Sequence, residues 1–172
     1  MILVATKTSP NFSFGGGLMS PGERIECSMS ADGEFNQIIF LLDDTQAICT
    51  PLDPNSPLGP KILNPGFNDL SEYMNVPVEF KNIHDGSDLD IGSKWLAIKP
   101  RPMTDRYTMS TIENNETVIG ISKPRYIISF AANVTINDSV QLTALSYATL
   151  KEGFSAKVNF KPGEVAFLLE KV

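Results

Sequence analysis

Histidine, tryptophan and cysteine are scarce in this sequence, and their scarcity excludes most of the common catalytic centres. The chain of 172 residues has one histidine, His84, one tryptophan, Trp95, and two cysteines, Cys27 and Cys49. A serine or cysteine triad needs a histidine base, and His84 lies in a Gly- and Asp-rich turn, in a sequence without a G-x-S-x-G motif. Zinc and iron centres need several His or Cys ligands, which this composition does not supply. We therefore predict that the protein is not an enzyme.

The two cysteines are too few to build a disulfide-based secreted scaffold. Cys27 and Cys49 form no C-x-x-C motif, and each lies in an apolar run typical of a strand. We predict two buried free thiols, with a single disulfide between them as the alternative.

Clusters of positive charge and long apolar runs are also missing. Lys and Arg total 14 against 20 Asp and Glu, which gives a net charge of −6, and the basic residues are scattered singly. Nucleic-acid binders need clustered cations, and anionic membranes repel acidic proteins, so we predict neither partner. No window approaches the roughly 20 apolar residues of a membrane span. The first residues lack the pattern of a signal peptide, which predicts cytoplasmic synthesis.

Helical periodicity is almost absent, since only Asn68–Met74 has the spacing of a short helix. Short runs rich in β-branched and aromatic residues, bounded by Gly, Pro, Asn or Asp, recur along the chain instead. They predict an all-β fold, an antiparallel β-sandwich or jelly roll of roughly eight to twelve strands. A β-barrel with long loops is the alternative. The length suits a single domain spanning residues 1–172.

Turn residues and alternation predict how these strands pair. Residues 113–116 and Asn137-Asp138 are expected to be hairpin turns, and Gly15–Gly17 an irregular loop. Residues 38–42, 126–132 and 165–169 are apolar on both faces. We predict that a second copy of the chain covers part of this surface in a homo-oligomer, with a trimer favoured.

The segment 50–66 carries five prolines and several apolar residues. Proline disfavours both helix and sheet ladder, so the segment is expected to be an extended arm lying on a surface. The residues predicted to contact a partner, another structural protein or a second copy, are Pro51, Leu52, Pro54, Pro57, Leu58, Ile62 and Leu63.

The loop 82–95 is the candidate ligand site. Asp85, Asp88 and Asp90 supply oxygen ligands for a structural calcium ion, although the run lacks the closing glutamate of an EF-hand. Trp95 is a candidate ligand-binding aromatic, with packing in the core as its alternative role. No other cofactor is predicted.

By elimination, the sequence favours a structural or assembly subunit, such as a virion coat, capsid decoration or tail protein that self-associates. A carbohydrate- or ligand-binding β-sandwich module that uses the loop 82–95 is the alternative. An enzyme with a pair of carboxylates ranks below both, because sequence spacing cannot pair the acidic residues.

Overall fold

The computed structural model describes residues 2–8, 11–19, 24–28, 38–41, 46–73, 76–82, 93–102, 104–130 and 133–172. These residues contain 17 strands and a single 3-10 turn, Ser71–Tyr73. All of their strand pairs are antiparallel. The all-β antiparallel fold predicted from the sequence is confirmed. Within the described residues, no helix has the length and apolarity needed to cross a membrane.

The chain divides into two compact units, Met1–Thr104 and Asp105–Val172. Each unit has two sheets of its own, and no described sheet takes strands from both units. That residues 1–172 form a single domain stays a prediction.

The first unit has a five-stranded sheet A, in the order β1-β2-β9-β4-β7, and a four-stranded sheet B, in the order β3-β8-β5-β6. Both sheets draw on distant parts of the chain, because β9 pairs with β2 and β4, while β8 pairs with β3 and β5. The strands are β1 Ile2–Thr8, β2 Phe12–Met19, β3 Arg24–Ser28, β4 Ile38–Leu41, β5 Ala47–Pro51, β6 Lys61–Leu63, β7 Gly66–Asp69, β8 Pro77–Asn82 and β9 Ser93–Pro100.

The core of the first unit takes alternate residues from both sheets, as expected of strands with one buried face. Sheet B contributes Cys49 and Val78, and sheet A contributes Trp95, all of them buried. Burial of this apolar surface is the main favourable term in folding. The remaining buried members of this cluster are Leu41, Ala47, Leu63, Leu70, Tyr73, Phe80 and Ala97.

The run Gly15–Gly17 lies in the middle of β2, so the predicted irregular loop is wrong. A Cβ atom on Gly16 would lie 2.5 Å from the carbonyl oxygen of Trp95 on the neighbouring strand β9. Glycine at this position allows two backbones to approach more closely than any side chain would permit. The glycines that suggested a loop therefore make the sheet pairing possible.

The second unit is a jelly roll of eight strands in two four-stranded sheets. Sheet C has the order β10-β17-β12-β15, and sheet D has the order β11-β16-β13-β14. The chain passes from one sheet to the other at each step, except at the β13–β14 hairpin. The strands are β10 Tyr107–Ile112, β11 Glu116–Ile119, β12 Arg125–Ser129, β13 Val134–Ile136, β14 Val140–Leu142, β15 Tyr147–Leu150, β16 Ser155–Asn159 and β17 Ala166–Lys171.

The inward faces of sheets C and D form the core of the second unit. Ile127 of sheet C and Val134 and Val158 of sheet D lie at its centre, each no more than 1% exposed. The opposite face of sheet C is buried as well, including Tyr126, Ile128 and Phe167. The homo-oligomer stays a prediction.

One hairpin prediction is wrong because tertiary pairing overrides local signals. The turn at 113–116 joins β10 to β11, but these strands belong to different sheets and pair with β17 and β16. The short helix expected within 68–74 is present as a single 3-10 turn, Ser71–Tyr73, while Asn68 and Asp69 belong to β7 and Met74 lies outside the described residues.

The Asn137-Asp138 hairpin is confirmed. It joins β13 to β14, and both residues have positive φ, 52° and 59°. Two-residue hairpin turns require this conformation, and Asn and Asp tolerate it.

Candidate functional site

The candidate calcium ligands Asp85, Asp88 and Asp90 lie outside the described residues, which stop at Asn82 and resume at Ser93. A structural calcium ion there stays a prediction. In the part of the chain that the structure describes, no group of three or more His, Cys, Asp or Glu side chains could hold a metal ion. The chain also has a single histidine, so it cannot build a centre that needs several histidine ligands.

Trp95 lies in the hydrophobic core of the first unit, and its side chain is 4% exposed. It belongs to the buried cluster that contains Cys49 and Val78. A sugar-stacking platform needs an exposed aromatic face, and Trp95 offers none at the surface of this unit. Its role as a ligand-binding residue stays a prediction.

Strands form at both ends of the Pro-rich segment, and its role as an extended arm stays a prediction. Pro51 is the last residue of β5 and lies opposite Val78, and β6 pairs with β5 in the register Ala47↔Leu63. Proline is tolerated at a strand end, where its missing N–H group is not needed by the ladder. The residues between the strands, 52–60, form turns and irregular backbone.

Contacts within the first unit hold this connection in place. The Tyr73 hydroxyl donates a hydrogen bond to the Gly59 carbonyl at 2.7 Å, and the Leu52 N–H donates to the Pro77 carbonyl at 3.0 Å. Leu63 is fully buried and Leu58 packs against the same core. Of the apolar side chains predicted to contact a partner, Leu52 and Ile62 remain exposed at 42% and 56%. Partner binding by this segment stays a prediction.

Cys49 is a buried free thiol. Burial raises its pKa to about 12, with a smaller opposing effect of Lys61. A thiol in this state is protonated at neutral pH and is a poor nucleophile. Its location explains a packing role and gives it no catalytic one.

The second unit contains a cavity of about 330 Å³ between its two sheets, here called the inter-sheet cavity. Its walls come from the inward faces of both sheets, with Ile127, Ala148 and Leu150 from sheet C, and Ile136 and Ala156 from sheet D. These are core positions, so the cavity continues the hydrophobic core to the edge of the unit. Its mouth is formed by Asn137, Val140, Thr149, Lys151, Phe154 and Ser155.

A close backbone crossing shapes this mouth. The Gly120 N–H donates to the Phe154 carbonyl at 2.8 Å, and the Gly153 N–H donates to the Gly120 carbonyl at 3.2 Å. A Cβ atom on Gly120 would lie 1.9 Å from the Lys151 carbonyl oxygen, so only glycine fits. The crossing fixes the backbone that carries Lys151 and Phe154. Phe154 is 67% exposed, which leaves a large apolar side chain in contact with solvent at the mouth.

Sequence reasoning did not find this cavity, because its lining looks like an ordinary core. Strand alternation identifies Leu142 or Ala156 as inward-facing residues, but it cannot show where two sheets fail to close on each other. An exposed phenylalanine in the Gly153-Phe154 turn was the one available signal, since large aromatics are uncommon in solvent-exposed turns.

The chain shares its all-β, jelly-roll-like fold with solved structures of low sequence identity. The chain matches no family model and no curated protein sequence. The YhaK protein of Escherichia coli is 10% identical, with 98% of this chain and 91% of that chain covered, at a TM-score of 0.56. AerE of Microcystis aeruginosa is 9% identical, with 97% and 90% covered, at 0.54. An oxalate decarboxylase of Lactobacillus farciminis, in complex with formate, is 8% identical, with 95% and 77% covered, at 0.51.

These similarities overturn the predicted function. The prediction of a non-enzymatic virion coat, decoration or tail subunit is wrong, because the solved structures of similar fold include an oxalate decarboxylase, which is an enzyme. The prediction that the protein is not an enzyme is wrong for the same reason. That prediction depends on the exclusion of histidine-based and metal-based chemistries and on an analogy with all-β assembly proteins. A fold does not carry that inference, since one scaffold hosts many functions.

Proposed function

We propose that the protein is a cupin-like small-molecule-binding protein and that the inter-sheet cavity of the second unit holds the ligand. The single observation that carries the proposal is a cavity of about 330 Å³ that opens between sheets C and D and is lined by core-type side chains. Small-molecule sites are concave, largely apolar and formed before the ligand arrives, and barrel mouths are a common place for them. Ligand binding is a step that an enzyme and a binding protein of this fold share.

The lining indicates the chemistry of the ligand. Five apolar walls, Ile127, Ile136, Ala148, Leu150 and Ala156, favour an apolar body. Among the described residues that line the cavity, Lys151 is the one charged side chain. A cation beside an apolar cavity favours an anionic group on the ligand. We infer a small organic acid, with its apolar part between the sheets and its carboxylate at Lys151.

The cavity limits the size of the ligand. One molecule of liquid water occupies about 30 Å³, so a space of this volume accommodates on the order of ten non-hydrogen atoms. The oxalate decarboxylase of similar fold was solved in complex with formate. That complex supports the inference that a scaffold of this kind can receive a small carboxylate.

Benzoate is a suitable probe, because it combines a flat apolar body with one carboxylate. In ¹H–¹³C methyl spectra, we expect benzoate to shift the signals of Ile127, Ile136 and Ala148 in a saturable way, with a Kd below about 1 mM. Ala148→Phe fills the cavity from a half-buried position and should abolish these shifts. Thr117→Phe places the same side chain at an exposed position of sheet D outside the cavity and should leave them unchanged.

A charged and an uncharged ligand together distinguish the contribution of Lys151 from that of the apolar walls. Lys151→Gln should weaken benzoate binding several-fold and leave the binding of benzyl alcohol, which has no charge, unchanged. The proposal is wrong if benzoate fails to shift the cavity methyl signals, or if Ala148→Phe binds it as well as the unmodified protein does.

A further inference from the structure

A second depression of about 390 Å³ lies on the outward face of sheet D, here called the amide pocket. Its lining is unlike that of the inter-sheet cavity, because five of its eight residues carry a carboxamide. The lining residues are Asn114, Asn115, Asn133, Thr135, Gln141, Asn159, Phe160 and Lys161.

Strand register places the polar side chains of this pocket in one row. Thr135 of β13 lies opposite Gln141 of β14 on one side and opposite Asn159 of β16 on the other. The neighbouring residues along these strands, Val134 and Val158, point into the core. Alternation therefore directs the row outward, where cross-strand neighbours are within reach of a single ligand.

Loops add carboxamides around this row and hold it in place. The Gln141 Nε2 group donates to Asn133 Oδ1 at 3.3 Å, and the Phe160 N–H donates to Asn114 Oδ1 at 2.9 Å. Asn115 and Asn133 have positive φ, 68° and 77°, so their side chains project from tight backbone turns. The carboxamides are thereby positioned by the backbone, at a lower entropic cost than in flexible side chains.

Asn159 has a side-chain oxygen whose hydrogen-bonding capacity is unused. Its Nδ2 group donates to Asp138 Oδ1 at 3.1 Å, whereas its buried Oδ1 atom has no hydrogen-bond partner. A buried acceptor without a donor costs free energy, because it has lost its hydrogen bonds to water. A ligand that supplies a donor to this carbonyl, after a small rotation of the carboxamide, recovers that energy. Carboxylates offer acceptors only, so they cannot supply this donor. The Lys161 ammonium, which also lines the pocket, can donate to a ligand hydroxyl as well.

We propose that the amide pocket is a binding site for a neutral polyhydroxylated ligand such as a sugar. Each carboxamide can donate to one hydroxyl group and accept from another, which matches the paired donor and acceptor character of vicinal diols. Phe160 supplies an apolar wall for the carbon skeleton, and it packs against the core of the unit. This site is separate from the inter-sheet cavity in residues, chemistry and sheet face.

Side-chain amide signals in ¹H–¹⁵N spectra give a direct test. Glucose, mannose, N-acetylglucosamine and myo-inositol are added separately to the full chain. We expect at least one of them to shift the signals of Gln141 and Asn159 in a saturable way, with a Kd of about 10 mM or tighter. Inorganic phosphate should not produce these shifts.

Two variants form a matched pair. Gln141→Leu removes a carboxamide of the pocket and should weaken sugar binding tenfold or more. Gln46→Leu removes an exposed carboxamide of the first unit that donates to Asn64 Oδ1 at the same distance, 3.3 Å, and should change nothing. Since both residues are exposed, both variants are expected to fold.

The assignment is overturned if none of the four compounds shifts the pocket amides, if the shifts persist in Gln141→Leu, or if phosphate competes with the sugar. Ala148→Phe, which fills the inter-sheet cavity, should retain sugar binding. The experiments on the amide pocket and those on the inter-sheet cavity therefore test the two proposals independently.

Discussion

Gly120→Ala is the sharpest test of the structure, because a single methyl group should disrupt the second unit. The added Cβ would lie 1.9 Å from the Lys151 carbonyl oxygen and 2.5 Å from the Lys151 carbonyl carbon. Ordinary contact begins at 3.4 Å, so the two backbones must separate by 1.5 Å, the difference between 3.4 and 1.9 Å. Both contacts involve backbone atoms, which cannot rotate away as a side chain does.

That separation breaks the hydrogen bonds at the crossing. The bonds from Gly120 to Phe154 and from Gly153 to Gly120 measure 2.8 Å and 3.2 Å, and each is worth about 1 kcal/mol. Overpacking adds about 1–3 kcal/mol. The variant should therefore lose about 3–5 kcal/mol of the 5–15 kcal/mol that typically stabilises a folded protein, and its Tm should fall by roughly 10 °C.

Urea denaturation and hydrogen exchange of residues 116–122 measure this effect. Gly59→Ala is the matched control, since nothing lies within 4 Å of the position that its Cβ atom would take, and it should stay within about 0.5 kcal/mol of the unmodified protein. A loss below about 1 kcal/mol in Gly120→Ala would show that the backbones do not cross here as described.

Three further predictions concern buried and charged groups. Iodoacetamide at pH 8 should not modify Cys49 in the native protein and should modify it after denaturation. Mass spectrometry of the peptides measures the modification, and rapid labelling of the native protein would contradict the burial of Cys49. Stability should fall as the pH rises from about 9 towards 12, because burial raises the pKa of Cys49 from 9.0 to about 12, so that only the unfolded thiol ionises in this window. Cys49→Ala should make the decline shallower in urea titrations at each pH, and an unchanged slope would refute the assignment. Arg125→Ala should lower the free energy of unfolding by about 2 kcal/mol, because the guanidinium of this half-buried residue donates to the Ile119 carbonyl at 2.6 Å and pairs with Glu170 at 3.2 Å. Lys61→Ala removes the exposed Lys61–Glu72 pair and should lower it by less than about 1 kcal/mol. Equal Tm changes in the two variants would argue against this difference.

Strand existence was predictable from the sequence, and strand pairing was not. The β-branched residues and the alternation of Tyr107–Ile112 predict a strand, and the structure has a strand, β10, over these same residues. Its neighbour in the sheet is Ala166–Lys171, more than fifty residues away, which no local signal reveals. The short turn at 113–116 predicts a hairpin, because two strands joined by a short turn commonly pair with each other. A jelly roll uses such turns to change sheets instead.

Both candidate sites were missed for a physical reason. The row Gln141–Thr135–Asn159 assembles through the pairing of three strands, and the pairing of β13 with β16, which brings in Asn159, has no local signal in the sequence. The residues predicted to bind a ligand, Asp85, Asp88, Asp90 and Trp95, are identified by residue type and by their closeness in sequence. Amide and aliphatic side chains are common, so only their arrangement in the folded chain identifies a site.

The last strand of the second unit occupies a central position in its sheet, since β17 lies between β10 and β12. During synthesis on the ribosome, sheet C lacks both of its main ladders until residues 166–171 have emerged. The edges of β10 and β12 that pair with β17 stay unpaired while roughly fifty more residues are translated after β10 and roughly forty after β12, a time of seconds at typical elongation rates. The order of synthesis therefore makes this unit dependent on its final strand, and a nascent chain stalled before Ala166 would expose strand edges that invite aggregation.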